Sequence, residues 1–519
     1  MKSRKFLAPL WTASLVLPLT AAMLSAQEKE VKPAEKAVET PVPPKEESVT
    51  TEHSIKIAGL NIPYKATVGS ILIKNEKEEG EALIFYTAYT RTDAKDLSQR
   101  PIAFLYNGGP GSASVWLHMG SFAPKRVATV NAAATPPAPY KLEDNANCLL
   151  DKADLVFIDP VGTGFSRAVG KAQDKDFWGV DQDARSIAKF VQSYVSKNNR
   201  WNSPKFLIGE SYGTFRNAAV ANILQSNYNL YLNGIVMVSS VFDLGTISFY
   251  PGEDLSYVLY LPSYAATAWY HKVSADRPDN LSSLIDETRK FARGEYNDAL
   301  MKGSLLTEAE KSAVAKKYAR YTGLSEDYVM KSNLRVRLPQ FMQELQRSRG
   351  LTTGRLDARF SGPTYSLIND SADYDPQETA ISGAFVAAFN QYIREDLKYT
   401  PDREYRSAAN FGDNRWDWKH SAGDGAFFPG SPNVMLDLAS AMVTNTRLQV
   451  EMEDGIYDLA TPFMEAEYST EHLGLPDNLQ KNIHHKLYEA GHMMYVRDED
   501  LAKLKSNVAA FIDSASKAN

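Results

Sequence analysis

Residues 205–219 read KFLIGESYGTFRNAA, and the reading of the whole chain turns on them. Phe206-Leu207-Ile208 is a short continuous apolar run, the pattern of a strand covered on both faces. A helical pattern follows from Thr214 to about Leu224. Between strand and helix stands Gly209-Glu210-Ser211-Tyr212-Gly213, a G-x-S-x-G pentapeptide. The glycines permit a tight strand-to-helix turn that lifts a strained serine out of the sheet. The helix N-terminus beneath that serine favours developing negative charge. An ordinary Gly-Ser turn is the plainer alternative, and the elements on both sides argue against it.

Outward from this turn the same rhythm repeats. Ile102 to Tyr106 is an apolar run ending in the glycine-rich Asn107-Gly108-Gly109-Pro110-Gly111, and Asp154 to Ile158 is another, closed by Asp159-Pro160. Asp181 to Val195 has helical spacing, with Ile187, Phe190, Val191 and Tyr194 on one face, and Gly234 to Val238 is a further strand. Strands alternating with helices predict a mostly parallel central sheet with helices on both faces. Ahead of them, Ser54 to Leu60, Ser70 to Ile73 and Ala82 to Thr90 read as strands of a hairpin sheet. The rhythm breaks after about Leu244, and residues 245–421 read as a mainly helical insertion, a lid over the sheet's carboxyl edge. The core resumes with a helix near Met435 to Asn445 and strands at Leu448 to Met452 and His484 to Tyr488. A helix from Glu499 to about Ile512 closes it.

A serine hydroxyl is a poor nucleophile until a base takes its proton. Of the eight histidines, His492 stands in a loop after a late strand and before the closing helix, which is where this architecture places its base. An imidazole in that role needs a buried carboxylate to hold its tautomer and stabilise its cation. Asp458 is favoured; Asp454 competes, being nearer the strand end, although it also reads as a turn residue before Gly455. Ser, Asp, His is the chain order of an α/β-hydrolase fold, so Ser211, Asp458 and His492 are the expected catalytic residues. Oxyanion donors are expected from Tyr212 and the loop Asn107-Gly108-Gly109-Pro110-Gly111, where glycine lets substrate approach an exposed N–H. A nucleotide-phosphate cradle is disfavoured there, because no Gly-Lys-Ser/Thr follows and Pro110 removes an N–H.

Taken together, residues 106–112 (YNGGPGS), 157–166 (FIDPVGTGFS), 209–213 (GESYG) and 491–493 (GHM) resemble the serine carboxypeptidase family, in a bacterial branch. The resemblance implies a serine-type carboxypeptidase with Gly109 and Tyr212 as oxyanion donors. It also implies that Asn107, Gly108 and Glu210 bind a peptide's terminal carboxylate, with a protonated glutamic acid donating where an ionised one would repel. Departures are visible. The position of a second glutamate holds Ser121, a usual tryptophan is Leu105, and a usual cysteine is Ser112. They keep open a serine acyltransferase, or an esterase or amidase acting on a non-peptide or cell-envelope substrate. A non-catalytic binding protein on this fold is the outsider, and the complete triad argues against it.

Composition sets the remaining bounds. Length 519 suits a catalytic core with an insertion, and a net charge of −6 gives no footprint for nucleic acid. One cysteine, Cys148, excludes an internal disulfide. No cofactor is expected and no metal, since neither H-E-x-x-H nor EF-hand spacing occurs. Residues 1–26 read as an export signal (Lys2, Arg4 and Lys5, then an apolar run from Phe6 to Leu24). An uncleaved anchor is the alternative, interrupted by Pro9 and Pro18. A periplasmic or secreted protein is therefore expected, with no stable membrane insertion after cleavage, a peptide as its partner, and a homodimer left open. Residues 27–52, charged and without aromatics, read as a disordered linker. The hydrolase core is expected at 53–244 and 422–519.

Overall fold

The computed structural model describes residues 44–274, 278–420 and 431–517. The export signal and most of the linker lie outside the described residues. Within them a ten-stranded sheet carries the fold. Its strands are β1 (Ser48–Ile57), β2 (Leu60–Lys74), β3 (Gly80–Arg91), β4 (Ile102–Tyr106), β5 (Asp154–Ile158), β6 (Arg167–Ala168), β7 (Lys205–Glu210), β8 (Gly234–Val238), β9 (Gln449–Gly455) and β10 (Ile483–Tyr488). The spatial order is β1-β2-β3-β5-β4-β7-β8-β9-β10, with β6 beside β3. The first three strands form an antiparallel meander, β3 meets β5 and β6 antiparallel, and the neighbours β5, β4, β7, β8, β9 and β10 pair parallel throughout. This is the α/β-hydrolase fold, with its parallel core feeding loops to one edge.

The first strand begins at Ser48, inside the stretch assigned above to the linker. Val49, Thr50 and Thr51 are β-branched and pair with Val68, Thr67 and Ala66 of β2, so residues 48–52 gain a ladder that outweighs their polar composition.

Alternation along the parallel strands builds two apolar layers. Ala103, Leu105, Phe157 and Ile208 face one side, while Ile102, Phe104, Val156 and Leu207 face the other. The second layer is closed by α1 (Val180–Lys197) and α2 (Tyr212–Tyr228). The region after Leu244 packs in two parts. Its first part, including α3 (Leu255–Tyr270) and α4 (Leu338–Glu344), forms a separate apolar cluster with Tyr457 and Phe463. Its later helix α5 (Pro376–Glu395) instead packs Ile381, Phe385 and Phe389 into the first layer, with the closing helix α6 (Asp498–Lys517). Helical content alone did not tell a helix packed in this cluster from one packed on the sheet.

Candidate active site

Ser211 is the single residue between β7 and α2, held at φ +60° and ψ −131°. A non-glycine residue seldom adopts positive φ, and the surroundings enforce it here. The Ser211 N–H donates to the Val238 carbonyl at 2.9 Å. A Cβ on Gly209 would stand 2.2 Å from the Gly213 oxygen, and one on Gly213 would stand 2.9 Å from the Tyr106 oxygen. Both glycines are therefore required by close approach of backbone, and the serine bears the strained torsion itself.

His492 is buried four residues past β10. Its N–H donates to the Leu356 carbonyl at 2.6 Å, and its own carbonyl accepts from Ser239 Oγ at 2.6 Å. Its Nδ1 meets Asp458 Oδ2 at 2.7 Å. Asp458 is fully buried and also accepts from the N–H groups of Ala460 and Thr461 and from Thr461 Oγ1, at 2.7, 3.0 and 2.8 Å. Burial alone would drive His492 toward the neutral form. The charge and hydrogen bond of Asp458, helped by Glu210, outweigh it and raise its proton affinity. Asp454 lies elsewhere: it accepts from the Ser240 N–H at 2.8 Å, and burial pushes its carboxyl up to about 8.

The glycine-rich loop closes on the same turn. A Cβ on Gly108 would fall 2.4 Å from the Tyr212 nitrogen, so only glycine lets this loop touch the start of α2. Gly109 has φ +104°, and its N–H has no acceptor among the described residues. Tyr212 opens α2, where an N–H has no acceptor within the helix. Beneath the loop, the buried guanidinium of Arg216 donates to the Asn107 carbonyl at 2.7 Å and to Asp183 at 2.6 Å. The Asn107 side-chain oxygen accepts from the Leu117 N–H at 2.9 Å.

One cavity of about 400 Å³ is lined by Ser211, His492, Asn107, Gly108, Gly109 and Glu210, along with residues of the later insertion. None of the other seven histidines lines it. Glu210 is buried and accepts from Tyr495 Oη at 2.7 Å. Burial pushes its carboxyl up to about 7, with His492 and the Tyr495 and Asn107 hydrogen bonds pulling the other way. Ser121 does not line the cavity; its Oγ donates back to the Leu117 carbonyl at 2.6 Å. Ser121, at the position of the second glutamate, thus spends its hydroxyl on its own i−4 carbonyl, as a helical serine does.

Sequence reasoning missed Tyr495, Thr461, Arg216 and Arg355. Thr461 carried a local signal, three residues past an aspartate. The other three approach the site only through tertiary packing. Among the described residues no group of three His, Cys, Asp or Glu side chains is placed to hold a metal ion.

The model of the serine carboxypeptidase family matches residues 62–505. Serine carboxypeptidase-like 51 of Arabidopsis thaliana is 31% identical over 147 residues, which are 27% of this chain and 29% of the plant protein. The pheromone-processing carboxypeptidase KEX1 of Saccharomyces cerevisiae is 30% identical over 145 residues, 27% of this chain and 19% of the yeast protein. The match thus spans less than a third of either relative. Among solved structures, the prohormone-processing carboxypeptidase KEX1(delta)p of the same yeast superposes with a TM-score of 0.54 at 16% identity, covering 87% of this chain and 92% of that one. That likeness speaks to the fold.

Proposed function

The chain belongs to the serine carboxypeptidase family, and from that premise we propose that it removes the carboxyl-terminal residue of a peptide through an acyl-enzyme. Ser211 Oγ attacks the last peptide carbonyl while His492 Nε2 takes its proton. The C=O π pair moves onto oxygen, where the N–H groups of Gly109 and Tyr212 hold it; such a donor is worth about 3 kcal/mol in the transition state. Collapse breaks the C–N bond, and His492 returns the proton to the leaving amine. Water then repeats the attack on the Ser211 ester, giving up its proton to His492, and the shortened peptide leaves with Ser211 restored. Asp458 keeps the imidazole's free nitrogen toward Ser211 and stabilises its cation. Glu210, in its protonated form, donates to the substrate's terminal carboxylate, alongside Asn107 and Gly108.

The observation that carries this reading is the shared cavity: a strained serine, a carboxylate-locked imidazole and a glycine loop all open into it. We place the chain in a bacterial branch of the family because its one cysteine excludes an intramolecular disulfide. We also propose export, on the basic and then apolar character of residues 1–26. Among the described residues no helix is long and apolar enough to cross a membrane.

Incubation of the purified protein with a mixed peptide library, from acid to mildly alkaline pH, tests the activity by mass spectrometry. Stepwise carboxyl-terminal trimming is expected, absent in Ser211→Ala. Internal cuts alone, or intact peptides beside an ester that is turned over, contradict it.

A further inference from the structure

A carboxypeptidase substrate carries a full negative charge beside the bond that breaks, and the cavity already holds two carboxyl side chains, Glu210 and Glu378. Taking that charge into a partly buried site without a cation is unfavourable. Apart from the imidazole, the one cationic side chain among the described residues lining the cavity is Arg355.

Its backbone is fixed on several sides. The N–H groups of Arg355 and Leu356 both donate to Asp375 Oδ2, at 2.7 and 2.9 Å. The Arg355 carbonyl accepts from the Leu459 N–H at 3.0 Å, and the Leu356 carbonyl accepts from His492 itself. Farther along this loop, Asp357 accepts from the Gly491 N–H at 3.2 Å and is gripped by Arg359. Arg355 itself, by contrast, is exposed and lines the cavity, and its guanidinium has no ion-pair or hydrogen-bond partner among the described residues. It is close enough for its charge to oppose protonation of His492.

The chemistry of the step says where the substrate's charge must lie. His492 protonates the leaving amine, and in a carboxyl-terminal residue the carboxylate carbon is two bonds from that nitrogen, roughly 2.5 Å away. The carboxylate therefore sits on the histidine side of the cavity, against the loop from which Arg355 projects. An arginine fork matches a carboxylate with two parallel N–H donors.

Resting on the carboxypeptidase reading above, we propose that Arg355 is a further specificity residue, the cation that pairs with the substrate's terminal carboxylate beside the neutral donors Glu210, Asn107 and Gly108, and so strengthens the preference for a free carboxyl terminus.

Three matched substrates test it with the full-length enzyme: an N-acyl dipeptide with a free terminal carboxylate, its terminal amide, and the p-nitrophenyl ester of the same acyl group. In Arg355→Gln the loss of kcat/KM on the free acid should exceed the loss on the ester by about thirtyfold, carried mainly by KM, as removal of a charge-assisted pair predicts. The preference of acid over amide should collapse, and Arg355→Lys should restore part of it. Three results overturn the proposal: an unchanged acid-over-amide preference, an equal loss on all three substrates, or a loss confined to peptides with acidic side chains. A wild-type enzyme that turns over the ester and trims neither peptide overturns the carboxypeptidase reading itself, a result visible before any variant is made.

Discussion

At the scale of single residues, the site depends on a few side chains whose states are set by burial. Asp458 sits at 0% exposure with its acceptors occupied by Ala460, Thr461 and His492. Asp458→Asn keeps the shape and loses the charge, so kcat should fall on the order of 10⁴-fold with KM little changed; a loss under tenfold contradicts the assigned role. Glu210 gives a second expectation, with its sign fixed by the raised carboxyl. Below about 7 it is protonated and donates to a carboxylate; above that it ionises and repels one. KM for a free-acid peptide should therefore climb as pH passes 7, and Glu210→Gln should flatten that climb. A climb of the same size in both enzymes is the result against it. Ser211, His492 and Asp458 were all legible in the sequence because each stands at the end of a strand pattern with a local motif around it. Tyr495 and Arg355 were not. One follows His492 by three residues with no motif of its own, and the other reaches the cavity from a loop whose position depends on Asp375, Leu459 and His492.

At the scale of elements, continuous apolar runs predicted β4, β5, β7 and β8 well, because a strand buried on both faces leaves that trace. The helix following Ser211 was equally plain from its start at the glycine turn. What pattern alone did not show was partnership among the helices after Leu244. α3 and α4 meet through stacked rings of Tyr264 and Phe341, 3.9 Å between centroids, within their own cluster. α5 uses similar apolar spacing to pack on the sheet. An amphipathic face records that something covers it, and the covering surface is decided by tertiary contacts. The division has a measurable consequence. Phe341→Ala removes a fully buried ring and should cost about 3–5 kcal/mol, lowering Tm. A Tm at the wild-type value contradicts the place of Phe341 in that cluster.

At the scale of the whole molecule, the number of buried acids shapes how stability varies with pH. Burial pushes Asp159, Glu451 and Glu465 up to about 7 and Asp454 up to about 8. Each keeps its proton in the folded state after the unfolded chain has lost it, so the folded form binds more protons between roughly pH 4 and pH 8. Stability must fall with rising pH across that window. His118 acts oppositely: burial lowers it to about 3, so its contribution is lost as pH drops from 6.5 toward 3. Thermal unfolding should thus show a higher Tm at pH 5 than at pH 8; a Tm that is level or rising over that interval contradicts the balance. None of this was legible in a composition with 63 acidic residues, because burial of particular acids is a property of the assembled sheet. The central claim, that the groups gathered at the sheet's edge form one acyl-transfer unit, is tested most directly by fluorophosphonate labelling followed by peptide mapping. A single adduct on Ser211, lost in His492→Ala, is predicted. Labelling at another residue, or labelling of Ser211 undiminished without His492, would contradict it.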